Sequence, residues 1–185
     1  MAQRFKESKH KNTDLAALKV AITARLERLV RLNRTRTDFA EKFESLIESY
    51  NNGSRNIEQL FEELLKLSNN LDDEQKRHIR EHLSEEELVI FDILTRPAPE
   101  LSPDERNEVK KVAKDLLSRM KELLVLNWRQ KSAARASLKL AIEDTLDTLP
   151  KSYARPLYTE KCSIIFEHIY ESYPELNTGI YATAR

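Results

Sequence analysis

The chain has 185 residues, enough for one domain or two small ones, and its 34% charged residues balance to a formal net charge of +0. Only Gly53 and Gly179 are glycines, which leaves no material for a Gly-rich phosphate loop and makes long helices the natural expectation. Cys162 is the lone cysteine, so an intramolecular disulfide is excluded and a reducing compartment, the cytoplasm, is expected.

In chain order, a basic flexible lead over 1–12 (MAQRFKESKHKN) carries no apolar signal core. Thr13 or Asp14 is placed to cap a first helix, with Leu15, Leu18, Ile22, Leu26, Leu29 and Val30 on one face. NRTRTD interrupts that spacing. A second helix brings in Phe39, Phe43, Leu46, Ile47 and Tyr50 and ends at the turn NNGS, 51–54. A third starts near Asn56 with the stripe Ile57, Leu60, Phe61, Leu64 and Leu65, and a short charged helix is expected over DDEQKRHIREHL. Ser84 and Glu87 form a capping box for a helix through Leu94.

Pro97 and Pro99 in TRPAPEL lack amide donors, so a connection between halves is expected at 97–101. Ser102, Pro103 and Glu105 then make a strong helix start, followed by Val109, Val112, Leu116, Met120, Leu123 and Leu124. Pro150 stops the next helix. A last one, from about Pro156, aligns Tyr158, Cys162, Ile165, Phe166, Ile169, Tyr170 and Tyr173 as a core stripe. No stretch alternates like a strand. The expectation is an all-α bundle of about seven helices, with an N-terminal half over 13–96, a C-terminal half over 102–173 and a tail over 174–185. No apolar run approaches the ~20 residues that span a bilayer, so no membrane partner is expected.

Two motifs imitate chemistry. His78-Ile79-Arg80-Glu81-His82 matches the inverted zinc-protease signature, but no third ligand is nominated and Lys76, Arg77 and Arg80 crowd the segment. Pro103-Asp104 with Glu108-Val109-Lys110 imitates a PD…ExK nuclease, yet these residues already serve as a helix start with no strand in reach. Four scattered histidines build no Ser/His/Asp set, and Cys162 on its apolar stripe is a filler rather than a nucleophile. No catalytic residue and no metal site is assigned.

The balanced charge is unevenly distributed. Residues 1–36 hold 10 Lys/Arg and 3 Asp/Glu, residues 37–105 hold 7 and 18, and residues 106–185 hold 14 and 10. The acidic middle and basic ends face solvent or each other, or the basic ends touch nucleic acid or an acidic partner. NWRQKSAARASLKL, 127–140, concentrates the question. It holds Arg129, Lys131, Arg135 and Lys139, no acid, and the lone Trp128. Asn127 with Gln130 suggests a helix starting at Trp128 and running to about Leu149, with its cations opposing the macrodipole. Trp128, Arg129, Lys131, Arg135 and Lys139 are therefore the candidate contacts to a partner or to DNA. The cations face carboxylates of the acidic middle segment, another subunit, or phosphate.

The segments FEELLKLSNNLDDEQKRHIREHLSEEELVIFDILT, LSPDERNEVKKVAKDLLSRMKELLVLNWRQKSAARASLKLAIEDTLDTLP and LYTEKCSIIFEHIYESY resemble the C-terminal region of the restriction (R) subunit of type I restriction–modification enzymes, as does RLNRTRTDFAEKFESLIESYNNGS upstream. The resemblance implies a trailing helical domain of a longer, ATP- and magnesium-dependent DNA translocase and endonuclease that cleaves unmodified foreign DNA. Met1-Ala2 would then start an excised fragment. Neither nuclease nor motor motifs occur here, so no catalytic residue carries over and no cofactor is expected in this chain. What carries over is docking onto the methyltransferase and specificity subunits. The alternative is a helical module binding duplex DNA phosphates through its basic helix.

Overall fold

Three helix starts are closed by reciprocal caps. Asn56 accepts from Gln59 N while Gln59 accepts from Asn56 N, and the same exchange joins Ser84 with Glu87 and Ser102 with Glu105. Each cap satisfies two amide donors that the helix itself leaves without partners.

The computed structural model describes residue 5, residues 10–174 and residues 180–181. Its α-helices are α1 (Lys11–Leu32), α2 (Thr37–Asn51), α3 (Ile57–Gln75), α4 (Arg77–Arg80), α5 (Glu85–Thr95), α6 (Pro103–Leu123), α7 (Ser132–Leu146) and α8 (Arg155–Ser172). Single 3-10 turns cover Arg34–Arg36 and Trp128–Gln130. No strand occurs among the described residues, so the all-α expectation holds. The first helix begins earlier than Thr13, after His10, and no side chain caps it. The charged helix expected over DDEQKRHIREHL is mostly the end of α3 followed by the single turn α4.

The chain forms two compact units, Met1–Arg80 and Glu81–Arg185. The division therefore falls ahead of α5 rather than at the prolines of 97–101. The reason is burial. Every residue from Leu88 to Leu94 is buried, Asp92 included, so α5 is covered around its circumference and needs neighbours on several sides. It finds them in α6 and α8, both in the second unit. The prolines end α5 without ending the unit.

In the first unit α1, α2 and α3 pack pairwise. Their core unites Leu15, Ile22, Leu26 and Leu29 with Leu46 and with Leu60, Leu64, Leu67 and Leu71. Burying each such side chain contributes roughly 1.5–3 kcal/mol. Most of the 1–12 lead lies outside the described residues, but Phe5 is buried and stacks on Phe61 with centroids 3.6 Å apart. Here the basic block does meet the acidic one. Lys11 pairs with Glu58 at 2.6 Å and Arg25 with Asp72 at 2.7 Å. Arg36 is fully buried and donates through Nε to Glu74 at 2.9 Å, the same carboxylate that receives Arg77 at 2.9 Å.

In the second unit α5 packs on α6, α6 on α7, α7 on α8, and α8 back on α5, a closed ring of four helices. Lys121, at the end of α6, pairs with Glu86, at the start of α5, at 2.7 Å, so those two run antiparallel. Tyr173, just past α8, donates to the same Glu86 oxygen at 2.8 Å. The opposite end of α5 depends on Lys161. Pro97 and Pro99 cannot donate amides back to the last turn, so its carbonyls need other donors. Lys161, 1% exposed, supplies its ammonium to Ile93 O and Arg96 O at 2.7 Å each, and Tyr153 Oη reaches Leu94 O at 3.1 Å. A cation at a helix C-terminus also opposes the negative end of the macrodipole.

Candidate functional site

The segment after α6 does not start a helix at Trp128. Asn127 sits in the left-handed region at φ 56, a conformation asparagine tolerates better than most residues, and its side chain makes no cap bond. It reverses the chain into the turn Trp128–Gln130, and α7 begins only at Ser132, after Lys131. Arg129 therefore lies ahead of α7 and Lys131 at its N-cap, where no side chain accepts from the first amides. The helix also stops at Leu146, short of Pro150.

Trp128 was a candidate partner contact, and the structure places it inside. It is 0% exposed, donates through Nε1 to Tyr173 O at 2.9 Å, and meets the Tyr170 ring edge-on at 5.7 Å. An indole finding both apolar walls and an acceptor is a core residue. Arg129 donates to Glu171 O at 3.1 Å, and its guanidinium carbon lies 4.9 Å from the Tyr170 ring centroid. Together these two residues satisfy carbonyls at the C-terminal end of α8.

Arg135 reaches back to Arg129 O. Lys139 lies over the Phe166 ring at 4.8 Å. Among the described residues, none of Arg129, Lys131, Arg135 and Lys139 pairs with a carboxylate, which corrects the expectation that the acidic middle segment neutralises them within the chain. Arg129 and Arg135 meet carbonyls instead, and Arg129 and Lys139 meet π-faces, a worth of about 0.5–2 kcal/mol per ring contact depending on exposure. Arg129 and Arg135 are half-buried in these contacts, whereas Lys131 and Lys139 are exposed.

The expected core stripe of α8 divides in two. Lys161, Ile165 and Ile169 take the buried face, one turn apart. Tyr158, Cys162, Phe166 and Tyr170, also one turn apart, form a second row that is only partly covered. This row runs beside α7 and makes an open furrow. At its middle is a groove of about 220 Å³ lined by Lys139, Ile142, Glu143, Cys162, Ser163 and Phe166, with Thr159 at the edge. Tyr158 Oη closes one end by donating to Glu143 O at 2.9 Å. Burial pushes the Cys162 thiol up from its ordinary value, which favours its protonated form. Sequence reasoning missed Lys161 and placed Tyr158, Cys162, Phe166 and Tyr170 in the core stripe, where they form a separate row. Both depend on which face of α8 meets α5.

The imitation motifs come apart. α4 ends at Arg80 and His82 has φ 55, so His78 and His82 do not share a helical face. Glu81 is held by Lys110 at 2.7 Å and by Arg106 at 3.9 Å. No cluster of three metal-binding side chains occurs among the described residues. Asp104 lies in the first turn of α6 and Glu108 follows one turn later on the same helix, with no strand beside them. Among the described residues no helix is long and apolar enough to cross a membrane.

A family model described as type I restriction enzyme HindI endonuclease subunit-like, C-terminal, matches residues 1–174. The chain is similar to the type I restriction enzyme HindI endonuclease subunit of Haemophilus influenzae, with 24% identity over 147 residues. Those residues are 78% of this chain and 14% of that protein, so the chain spans a small fraction of the relative it matches. No solved structure matches.

Proposed function

Because the chain belongs to the family of C-terminal regions of type I restriction enzyme endonuclease subunits like that of HindI, we propose that it is a non-catalytic docking domain. It fastens the ATP-dependent translocase and endonuclease subunit to the methyltransferase–specificity core of the same restriction–modification complex. The subunit's nucleotide, magnesium and nuclease chemistry then belong to parts of the protein outside this segment.

The observation that supports docking is the surface of the second unit. Val125 and Leu126 stand side by side at 43% and 62% exposed, and Leu140, Ile164 and Tyr170 are exposed on α7 and α8. Apolar and aromatic groups of this kind gain free energy when a partner covers them. In a competition assay, the folded chain should displace intact endonuclease subunit from the methyltransferase–specificity complex while hydrolysing no ATP and cutting no plasmid. Failure to compete, or either activity in the isolated chain, removes this reading.

The second reading is a duplex-DNA module working through the basic helix. Each neutralised phosphate steepens the log–log salt dependence by about 0.9. Lys131 and Lys139 are the exposed cations of that helix, so the slope expected from it is about −1.8. Strong duplex binders make several times more phosphate contacts, which leaves this reading behind the first.

A further inference from the structure

We infer that the tail residues Ile180 and Tyr181 lock the last turn of α8, and that this lock holds the turn at Trp128, with Val125 and Leu126, in place for docking. Only the last step rests on the docking reading. The lock itself rests on contacts within the second unit.

The seat of the tail is the end of α8. Ile180 N donates to Ser172 O at 3.1 Å. Tyr181, 7% exposed, sets its ring 5.9 Å from that of Tyr173 and its hydroxyl 3.2 Å from His168 Nε2. The other ring nitrogen of His168 lies 3.3 Å from Ser172 Oγ. His168 thus bridges the tail and the last turn of its own helix.

Three carbonyls at this helix end take donors from outside α8. Glu171 O receives Arg129, Ser172 O receives Ile180 N, and Tyr173 O receives the Trp128 indole. A helix leaves its last carbonyls without internal partners, so these remote donors decide whether the final turn stays wound. Two of them come from the turn at Trp128, which puts that turn and the tail on the same three residues. Releasing Ile180 and Tyr181 gives Ser172 O to water and uncovers Tyr173, the residue that supplies the indole's acceptor. Tyr173 keeps its bond to Glu86 at 2.8 Å, so α8 stays on α5 and only its last turn loosens.

The Trp128 turn carries this to the surface. Trp128 N donates to Val125 O at 3.0 Å, and Leu126 lies between them in sequence, 62% exposed. A seated indole fixes this short loop and presents Val125 and Leu126 in one arrangement. A loosened one spreads them over several, and a partner binds only the fraction that is correctly placed.

Trp128 is the lone tryptophan, so its fluorescence reads the turn directly. In the whole chain, Tyr181→Ala should raise acrylamide quenching of Trp128 about twofold or more, because a helix end opens far more readily than the chain unfolds. Tyr181→Phe, which keeps the ring on Tyr173 and removes the hydroxyl from His168, should fall between. Tyr158→Phe, which breaks the bond to Glu143 O near the start of α8, should leave quenching at the parent value. Circular dichroism should show the same helix content in all three. Tyr181→Ala should also bind the methyltransferase–specificity complex about threefold or more weakly, in proportion to the misplaced fraction. Unchanged quenching in Tyr181→Ala overturns the lock, and so does an equal rise in Tyr158→Phe, which would mean general loosening of α8. Should Tyr181→Ala lose helix content, Tyr181→Phe decides by the same readings. If quenching rises while the complex is bound as tightly as by the parent, the turn is not presented for docking and the last step falls. If the parent does not bind the complex, the function proposed above fails, while raised quenching still establishes the lock.

Discussion

Trp128 Nε1 donates to the main-chain oxygen of Tyr173 at 2.9 Å, which ties the turn ahead of α7 to the residue just past α8. Arg129, one residue on, reaches Glu171 O. The sequence segment richest in unopposed cations is thereby the cap on another helix, forty-odd residues later. Of its charges, Arg129 answers the negative end of α8 rather than a carboxylate.

Trp128→Phe keeps most of the ring packing but strands the Tyr173 carbonyl in a buried site. The expected loss is about 1–3 kcal/mol, the cost of an unsatisfied buried acceptor. Trp128→Ala adds a cavity and should lose about 3–5 kcal/mol. Urea unfolding followed by circular dichroism reads both. A Trp128→Phe variant as stable as the parent would show the bond is dispensable.

Lys161→Met deprives Ile93 O and Arg96 O of their donor, at an expected cost of about 1–3 kcal/mol near neutral pH. Burial pushes the Lys161 ammonium below its ordinary 10.5. The unfolded chain then holds more protons in the window between the lowered folded value and 10.5, so this group makes stability rise with pH there. The neutral amine still donates two bonds. The gap between parent and Lys161→Met should widen toward pH 10.5, and a gap that narrows would contradict the buried placement.

Tyr153 and Tyr173 behave oppositely. Burial raises both phenols above 10.0, with Glu105 and Glu86 respectively adding repulsion. Their contribution is fully present below the unfolded value and is lost as pH climbs past it toward the raised folded values. Denaturation midpoints should fall above about pH 10. Tyr153→Phe and Tyr173→Phe should each flatten that alkaline limb.

In the first unit, Glu74 is buried between Arg36 and Arg77. Glu74→Ala leaves the fully buried Arg36 without that carboxylate and should cost about 3–5 kcal/mol. Melting of the variant against the parent measures it, and a loss similar to that of an exposed glutamate would show that the pair adds nothing.

Added zinc should leave the melting temperature unchanged, because a ligand raises it only by binding the folded chain preferentially. His78 and His82 lie on either side of the helix end, and Glu81 is held by Lys110. A zinc-dependent rise abolished by His78→Ala would restore the metal reading.

The all-α class, a stop at the turn 51–54, another within a residue of Leu94, and the starts at Asn56, Ser84 and Ser102 were all legible in the sequence. They depend on residues within one turn of each other: a capping side chain and its amide, a proline, or apolar side chains three and four apart. What the cations between Asn127 and Leu140 meet was not legible, because their partners, Glu171 O and the rings of Phe166 and Tyr170, lie far along the chain. The same holds for Lys161, whose place in the core follows from α5 ending against α8, and for the unit boundary, set by where α5 finds neighbours rather than by the prolines after it. Local backbone chemistry decided where helices begin and end. Only their packing decided which faces were buried, and so which charged groups remained available to a partner.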